Sequence, residues 1–455
     1  MSDTEKPDKP PWVSHLHIVL PDRAQRRVWL LPGENGWALP ALDVEGGVWV
    51  GDAARLIPLL RKRLGLIGDF TILRHLGLTD NNEARWDRAY PVVEFQQQVD
   101  EPLPDGRWVD GDELSELSLA DESQRGLLPA FLAEFEPPLL RAPWARPGWF
   151  AQAADWMAET LAALGRTPTG PVEQVKILGI SCLLRQPSDA GTVYFKATAR
   201  LPLFVNEGRL MEALARHFPR WIPAPLARND GNSWMLLDDF GPNLWERDKK
   251  NADFAPAAAE YARLQQASAE RVEELLALGC FDRRLPVLAE QIDALLTHPL
   301  TSTHARSDEL SQLATLAPRL RERCAQLAGF GLPDALVHGD LHLGNLAAKD
   351  DGYLFFDWSD ACVAHPFLDM ITPYFLEKDE TKRVRGKEAY LAAWRGRASR
   401  SALENAWTLA KPLAALHQAV SYLHILIGQE EVVHPEMASG LRDFVSFAVK
   451  AMDEI

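Results

Sequence analysis

One stretch concentrates side chains suited to chemistry: His338-Gly339-Asp340-Leu341-His342-Leu343-Gly344-Asn345, followed twelve residues later by Asp357-Trp358. Transfer of a phosphoryl group asks little covalent chemistry of a protein. It needs a carboxylate at the acceptor hydroxyl, oxygen ligands for a metal on the nucleotide phosphates, and a cation near those phosphates. Asp340 has the type for the first task. Asn345 and Asp357 offer a neutral and a charged oxygen, and Mg²⁺ usually takes only one or two carboxylates from a protein. A positioned base of this kind contributes ~10²–10⁴-fold. Singly, Asp340 and Asn345 are also ordinary turn-capping residues. Their combination with Asp357 is what favours the functional reading.

His-x-Asp-x-x-x-x-Asn, with an Asp after a hydrophobic strand, resembles the catalytic core of protein-kinase-like folds. The fuller pattern HGDLHxxN…FDW resembles the aminoglycoside phosphotransferase and choline kinase family. That resemblance implies Asp340 as catalytic base and Asn345 and Asp357 as Mg²⁺ ligands. It implies ATP, or GTP in its place, as phosphoryl donor and a small-molecule hydroxyl as acceptor. His338 is expected to order the loop by hydrogen bonding, not to move protons. His342 either lines the site or packs. Asp369, in HPFLDM, stands where the family often has a structural Asp and is expected to brace the loop.

Such a loop needs a lysine on an upstream strand. Thr192–Ala199 (TVYFKATA) alternates, which puts Val193, Phe195 and Ala197 on one face and Lys196 on the other, as for any solvent-facing strand lysine. In the next helix Glu207 shares a stripe with Leu210, Met211 and Leu214. A carboxylate heading a buried stripe is costly unless paired, so a Lys196–Glu207 pair is expected, with Glu212 the competing candidate and an exposed first-turn Glu the bland one. The turn Gly179-Ile180-Ser181 is where a phosphate-covering loop falls, with Ser181 its candidate contact. It holds one glycine and is a weak motif. Trp234–Asp239 (WMLLDD), with Leu237 as candidate, reads as a strand entering a nucleotide-binding hinge; an ordinary core strand has the same look.

The elements around these residues read as α+β: a bilobal kinase-like unit with a small β-rich lobe over 168–240 and a helical lobe over 241–455. Helices are expected over 252–279, 284–297, 306–329, 366–376, 384–396, 401–428 and 434–454. Before them come a disordered lead-in (1–14), a strand-rich domain (15–136) containing a helix over 51–66, and a Pro-rich linker with a helix (137–167). The strand-rich domain resembles a Nudix fold through WALPALDVEGG (37–47), RLGL (63–66) and RWVDGDELSEL (107–117). Lys62 and Arg63 stand where that fold's metal-binding glutamates belong, and cations there repel Mg²⁺. The domain is therefore expected to have lost hydrolysis and to serve binding, docking or stability.

Charge narrows the partners. The chain carries 48 Lys+Arg against 64 Asp+Glu, a net charge of −16, with no basic cluster that argues for nucleic acid. Net acidity leans weakly toward a cationic acceptor, though acidic helix residues such as Glu260, Glu270, Glu273 and Glu274 also read as solvated faces. Cys182, Cys280, Cys324 and Cys362 are scattered, as isolated thiols in a reducing compartment are. With no signal peptide and no apolar run near the ~20 residues of a membrane span, a cytoplasmic protein is expected. Oligomeric state is not legible. The main rival reading is a nucleotide-binding regulatory protein with little turnover. A protein kinase is disfavoured by the lack of His-Arg-Asp, Asp-Phe-Gly and Ala-Pro-Glu elements.

Overall fold

A computed structural model describes residues 10–134, 136–248 and 251–453. The chain divides into two compact units: residues 1–197 with 429–436, and residues 198–428 with 437–455. The division falls inside the strand Gly191–Thr198. Of the expected lead-in, residues 1–9 lie outside the described residues, and the first strand begins within it, at Val13.

The first unit opens with a mixed sheet in the order 41–45, 13–17, 86–95, 70–81; 13–17 runs parallel to 86–95 and the other pairs are antiparallel. A second small sheet pairs Arg27–Gly33 with Pro21–Asp22, Gly36–Ala38 and Arg107–Asp110. Val19, Val28, Leu30, Val92, Val109, Leu114 and Leu128 form the core between them. The expected helix over 51–66 is shorter and broken. It runs from Ala53 to Leu59 and continues as a π-turn from Leu60 to Leu64. Pro58 lies inside it and has no N–H to donate, which breaks the regular hydrogen-bond ladder. The helix Trp149–Ala163 leads to three strands, 173–177, 181–188 and 191–198, with the middle one between its neighbours.

The second unit holds the strands Ala227–Asn229 and Trp234–Asp238 and most of the helices. Its large apolar core gathers Leu210, Tyr261, Leu288, Leu320, Phe355, Trp358, Phe367, Trp394, Leu413 and Leu441. Two expected helices differ in the structure. Residues 252–279 form Ala255–Ser268 and Val272–Ala277, joined by a 3₁₀ turn over Ala269–Arg271. Residues 366–376 contain only a 3₁₀ stretch, Pro366–Ile371. Apolar spacing reports which face is buried, and a short buried 3₁₀ stretch satisfies it as well as an α-helix does.

Candidate active site

The polar loop hangs between buried elements of the second unit. Ala335–Val337 is a fully buried strand. At its end Gly339 turns the chain with φ +84°, and a Cβ there would lie 2.3 Å from the Asp360 carbonyl oxygen. Only glycine has both the freedom and the room. A 3₁₀ turn, Leu343–Asn345, then opens into the hairpin Leu346–Lys349/Gly352–Phe355. Leu346 pairs with Phe355, so the hairpin returns the chain beside its start, and the Phe356 N–H donates to the Asn345 carbonyl at 3.1 Å. Asp357 follows immediately. The hairpin register is thus what joins two sequence positions twelve residues apart.

Asn345 donates from Nδ2 to the Asp340 carbonyl at 2.8 Å and approaches the Asp340 carboxylate at 3.4 Å. That bond leaves Oδ1 as the acceptor of the amide. His342 accepts the Gly344 N–H on Nδ1 at 2.9 Å, so its Nε2, 3.5 Å from Asp340 Oδ2, is the protonated nitrogen of the neutral ring. A Cβ at Gly344 would lie 2.7 Å from that ring. Asp340 keeps about half of its side-chain surface open (49%) yet is crowded by protein. Desolvation raises its pKa, His342 lowers it through space and by a hydrogen bond, Asp357 raises it and His338 lowers it. The net result lies below the ordinary carboxylate value. Asp357 has φ +69° and accepts from the Ser359 hydroxyl at 3.4 Å. A left-handed backbone at a non-glycine residue is held there by its surroundings.

Behind the loop lies a buried bracket. Asp369, 2% exposed, accepts the His338 N–H at 2.6 Å and the Gly339 N–H at 2.9 Å, and also the Tyr261 hydroxyl. Burial raises the pKa of Asp369, while His338 and these hydrogen bonds pull it back. His338 is fully buried, reaches the Phe356 carbonyl through Nε2 at 2.9 Å, and lies 4.4 Å from the Trp358 ring. Gln418 donates to the Gly339 carbonyl at 2.5 Å. Tyr261 and Gln418 were invisible to sequence reasoning because each lies more than seventy residues from the loop.

Glu207 is 2% exposed at the head of the helix Glu207–His217, and accepts the Thr198 hydroxyl at 2.9 Å and the Trp358 N–H at 3.0 Å. Glu212 faces outward and pairs with Arg228 at 3.3 Å. Lys196 and Ser181 belong to the first unit. Lys196 is only 8% exposed, which goes against the alternative of a solvent-facing strand lysine; the last four residues of its strand are all buried. Ser181 opens the strand Ser181–Ser188 and is also buried. Leu237 sits on Trp234–Asp238 with its side chain in the large core.

Among the described residues no group of three or more His, Cys, Asp or Glu side chains could hold a metal ion. The Asn345 and Asp357 oxygens suit a hard cation that takes its remaining ligands from phosphates and water. The donor set therefore fits Mg²⁺ carried on a nucleotide.

The family described as "APH: Phosphotransferase enzyme family" matches residues 102–413. No curated protein matches the sequence. Among solved structures, a choline/ethanolamine kinase family protein from Mesorhizobium loti is 15% identical, with a TM-score of 0.46 over 67% of this chain and 99% of that one. The macrolide 2'-phosphotransferase MphH from Brachybacterium faecium is 18% identical, with a TM-score of 0.43 over 64% of this chain and 98% of that one. Choline kinase LicA from Streptococcus pneumoniae is 10% identical, with a TM-score of 0.47 over 66% and 99%. These are loose likenesses and do not bear on substrate.

Proposed function

The chain belongs to the phosphotransferase enzyme family, and we propose that it transfers the terminal phosphoryl group of ATP to a hydroxyl of a small molecule, with Asp340 as base. The observation that carries this reading is the Asn345 amide, bonded to the Asp340 carbonyl at 2.8 Å and standing 3.4 Å from its carboxylate. The candidate base and the candidate metal ligand are locked to each other within one loop. The acceptor oxygen forms its bond to phosphorus as the bond to the leaving diphosphate breaks, and the hydroxyl proton passes to an Asp340 carboxylate oxygen. Mg²⁺ on the nucleotide, held by Asn345 Oδ1 and the Asp357 carboxylate, would neutralise phosphate charge.

Asp369 acts on this chemistry indirectly, by fixing the two backbone N–H groups that precede Asp340. For Lys196 we keep the role the resemblance gives it, contact with nucleotide phosphates, and for Glu207 that of its partner. The burial of both side chains supports this, since a buried charge is costly without a counter-charge. Ser181 and the backbone at Leu237 are proposed nucleotide contacts on the same footing. GTP replaces ATP only if the donor assay says so. The region 15–136 is proposed to be a Nudix-like domain without hydrolase activity.

The test is consumption of ATP and of GTP across a library of hydroxylated small molecules, including cationic ones, with Asp340→Ala as control. Acceptor-dependent consumption that Asp340→Ala abolishes supports the reading. Tight nucleotide binding with no acceptor-dependent turnover would instead identify a regulatory nucleotide binder.

A further inference from the structure

The turn Pro21–Arg27 reads PDRAQRR, three arginines in a chain of net charge −16. Together with Asp22, Phe131 and Glu134, Arg23, Arg26 and Arg27 line a cleft of about 200 Å³ in the first unit. None of these residues has a role in the proposed transfer.

Both carboxylates of the lining are already matched. Asp22 bonds Arg27 at 2.9 Å and accepts the Gln25 N–H at 3.1 Å. Glu134 is held by Arg74 at 3.2 Å and by Arg141 Nη2 at 2.8 Å, and Arg141 also bonds Glu430 at 2.8 Å. The lining arginines outnumber the carboxylates, and they are braced. Arg26 donates to the Leu132 carbonyl at 2.7 Å, and Arg27 lies 4.9 Å from the Trp108 ring. Arg23 stands 5.9 Å from the Phe131 ring and makes no ion pair among the described residues. Two carboxylates act on it through space: Glu94, which accepts the Gly148 N–H at 2.7 Å, and Glu134, which is already shared by Arg74 and Arg141. Burial works against the charge of Arg23. A partly desolvated guanidinium with no carboxylate of its own gains most from an anion supplied from outside.

We infer that this cleft binds a compact anion bearing phosphoryl or carboxylate oxygens. Guanidinium groups present planar forks that match both kinds of oxygen pair. At ~30 Å³ per water, the space admits a phosphate-sized group with a short organic remainder. The Phe131 ring provides an apolar wall for that remainder.

Calorimetric titration of the full chain, in EDTA and at constant ionic strength, tests this with two probes, sodium pyrophosphate and sodium citrate. The wild type binds at least one of them, and the preferred probe tells phosphoryl from carboxylate chemistry. Arg23→Ala/Arg26→Ala weakens that binding at least tenfold. Lys62→Ala/Arg63→Ala, which removes the same charge from an exposed helix end, leaves it unchanged. Thermal melting establishes that both variants fold. Failure of the wild type to bind either probe, or equal affinity in the Arg23/Arg26 variant, overturns the inference.

Discussion

Asp340 sits among opposing influences, and those influences bear on the base role proposed for it. Desolvation pushes its proton affinity up, and His342 pulls it down through space and by a hydrogen bond. Removing His342 therefore raises the Asp340 pKa, so the acid limb of kcat/KM moves to higher pH in His342→Ala, as read from a pH–rate profile. If the two limbs superimpose, His342 does not tune the base. Asp340→Ala itself lowers kcat by ~10²–10⁴-fold, while calorimetry finds nucleotide affinity within a few-fold of wild type. Asp369 makes a different demand. Three donors converge on its two oxygens, from His338, Gly339 and Tyr261. Asp369→Asn turns one oxygen into an NH₂ that faces a donor. The expected loss is roughly 2–3 kcal/mol of stability, since an unsatisfied buried donor costs ~1–3 kcal/mol, measured by denaturant unfolding. A loss within error of zero would mean the bracket does not hold the loop.

At the scale of elements, the loop depends on a turn and a hairpin. Gly339 has φ +84° and leaves no space toward the Asp360 carbonyl. Gly339→Ala combines a left-handed strain of ~1–3 kcal/mol with displacement of a backbone oxygen. It should lower the melting temperature and activity together, and Gly344→Ala, which pushes against the His342 ring, should lower activity with a smaller change in melting. Equal melting temperatures for Gly339→Ala and wild type would contradict this account. The hairpin explains why Asp357 belongs with Asn345: its register sets Phe356 against Asn345, and no side chain in the hairpin itself needs a chemical role.

At the scale of the whole molecule, the segment 429–436 is covalently part of the C-terminal helical region but clusters with the first unit. Its Glu436 accepts the Gly179 N–H at 2.8 Å, and its Glu430 bonds Arg141. Burial raises the Glu436 pKa to about 7, against that hydrogen bond, which lowers it. A carboxyl with a raised folded pKa binds its proton more tightly when folded, so its contribution to stability falls as pH rises from the ordinary carboxyl range to about 7. His75, in the same unit, acts in the opposite sense: burial lowers its pKa to about 4, so stability is lost as pH falls from 6.5 toward 4. The two windows overlap, and the informative quantity is a difference. Glu436→Gln minus wild type should show a stability gain that grows between pH 5 and 7, of roughly 1–3 kcal/mol, one pKa unit being ~1.4 kcal/mol. A difference that stays flat across that range would rule out the assignment.

The sequence alone pointed to the phosphotransferase family, which matches residues 102–413, because phosphoryl transfer asks for particular residue types at short spacings: Asp340, Asn345 and Asp357 lie within eighteen residues. It also determined that Glu207, not Glu212, would be buried, since helical periodicity assigns a face to each residue. What it misread were conformations that share a burial pattern, such as the π-turn after Pro58 and the 3₁₀ stretch Pro366–Ile371. Only tertiary structure decided that Lys196 is buried, that Tyr261 and Gln418 support the loop from distant helices, and that residues 429–436 join the first unit. Periodicity along a strand or helix records one packing partner at a time. A side chain enclosed from several directions, or held by a residue a hundred positions away, leaves no local trace.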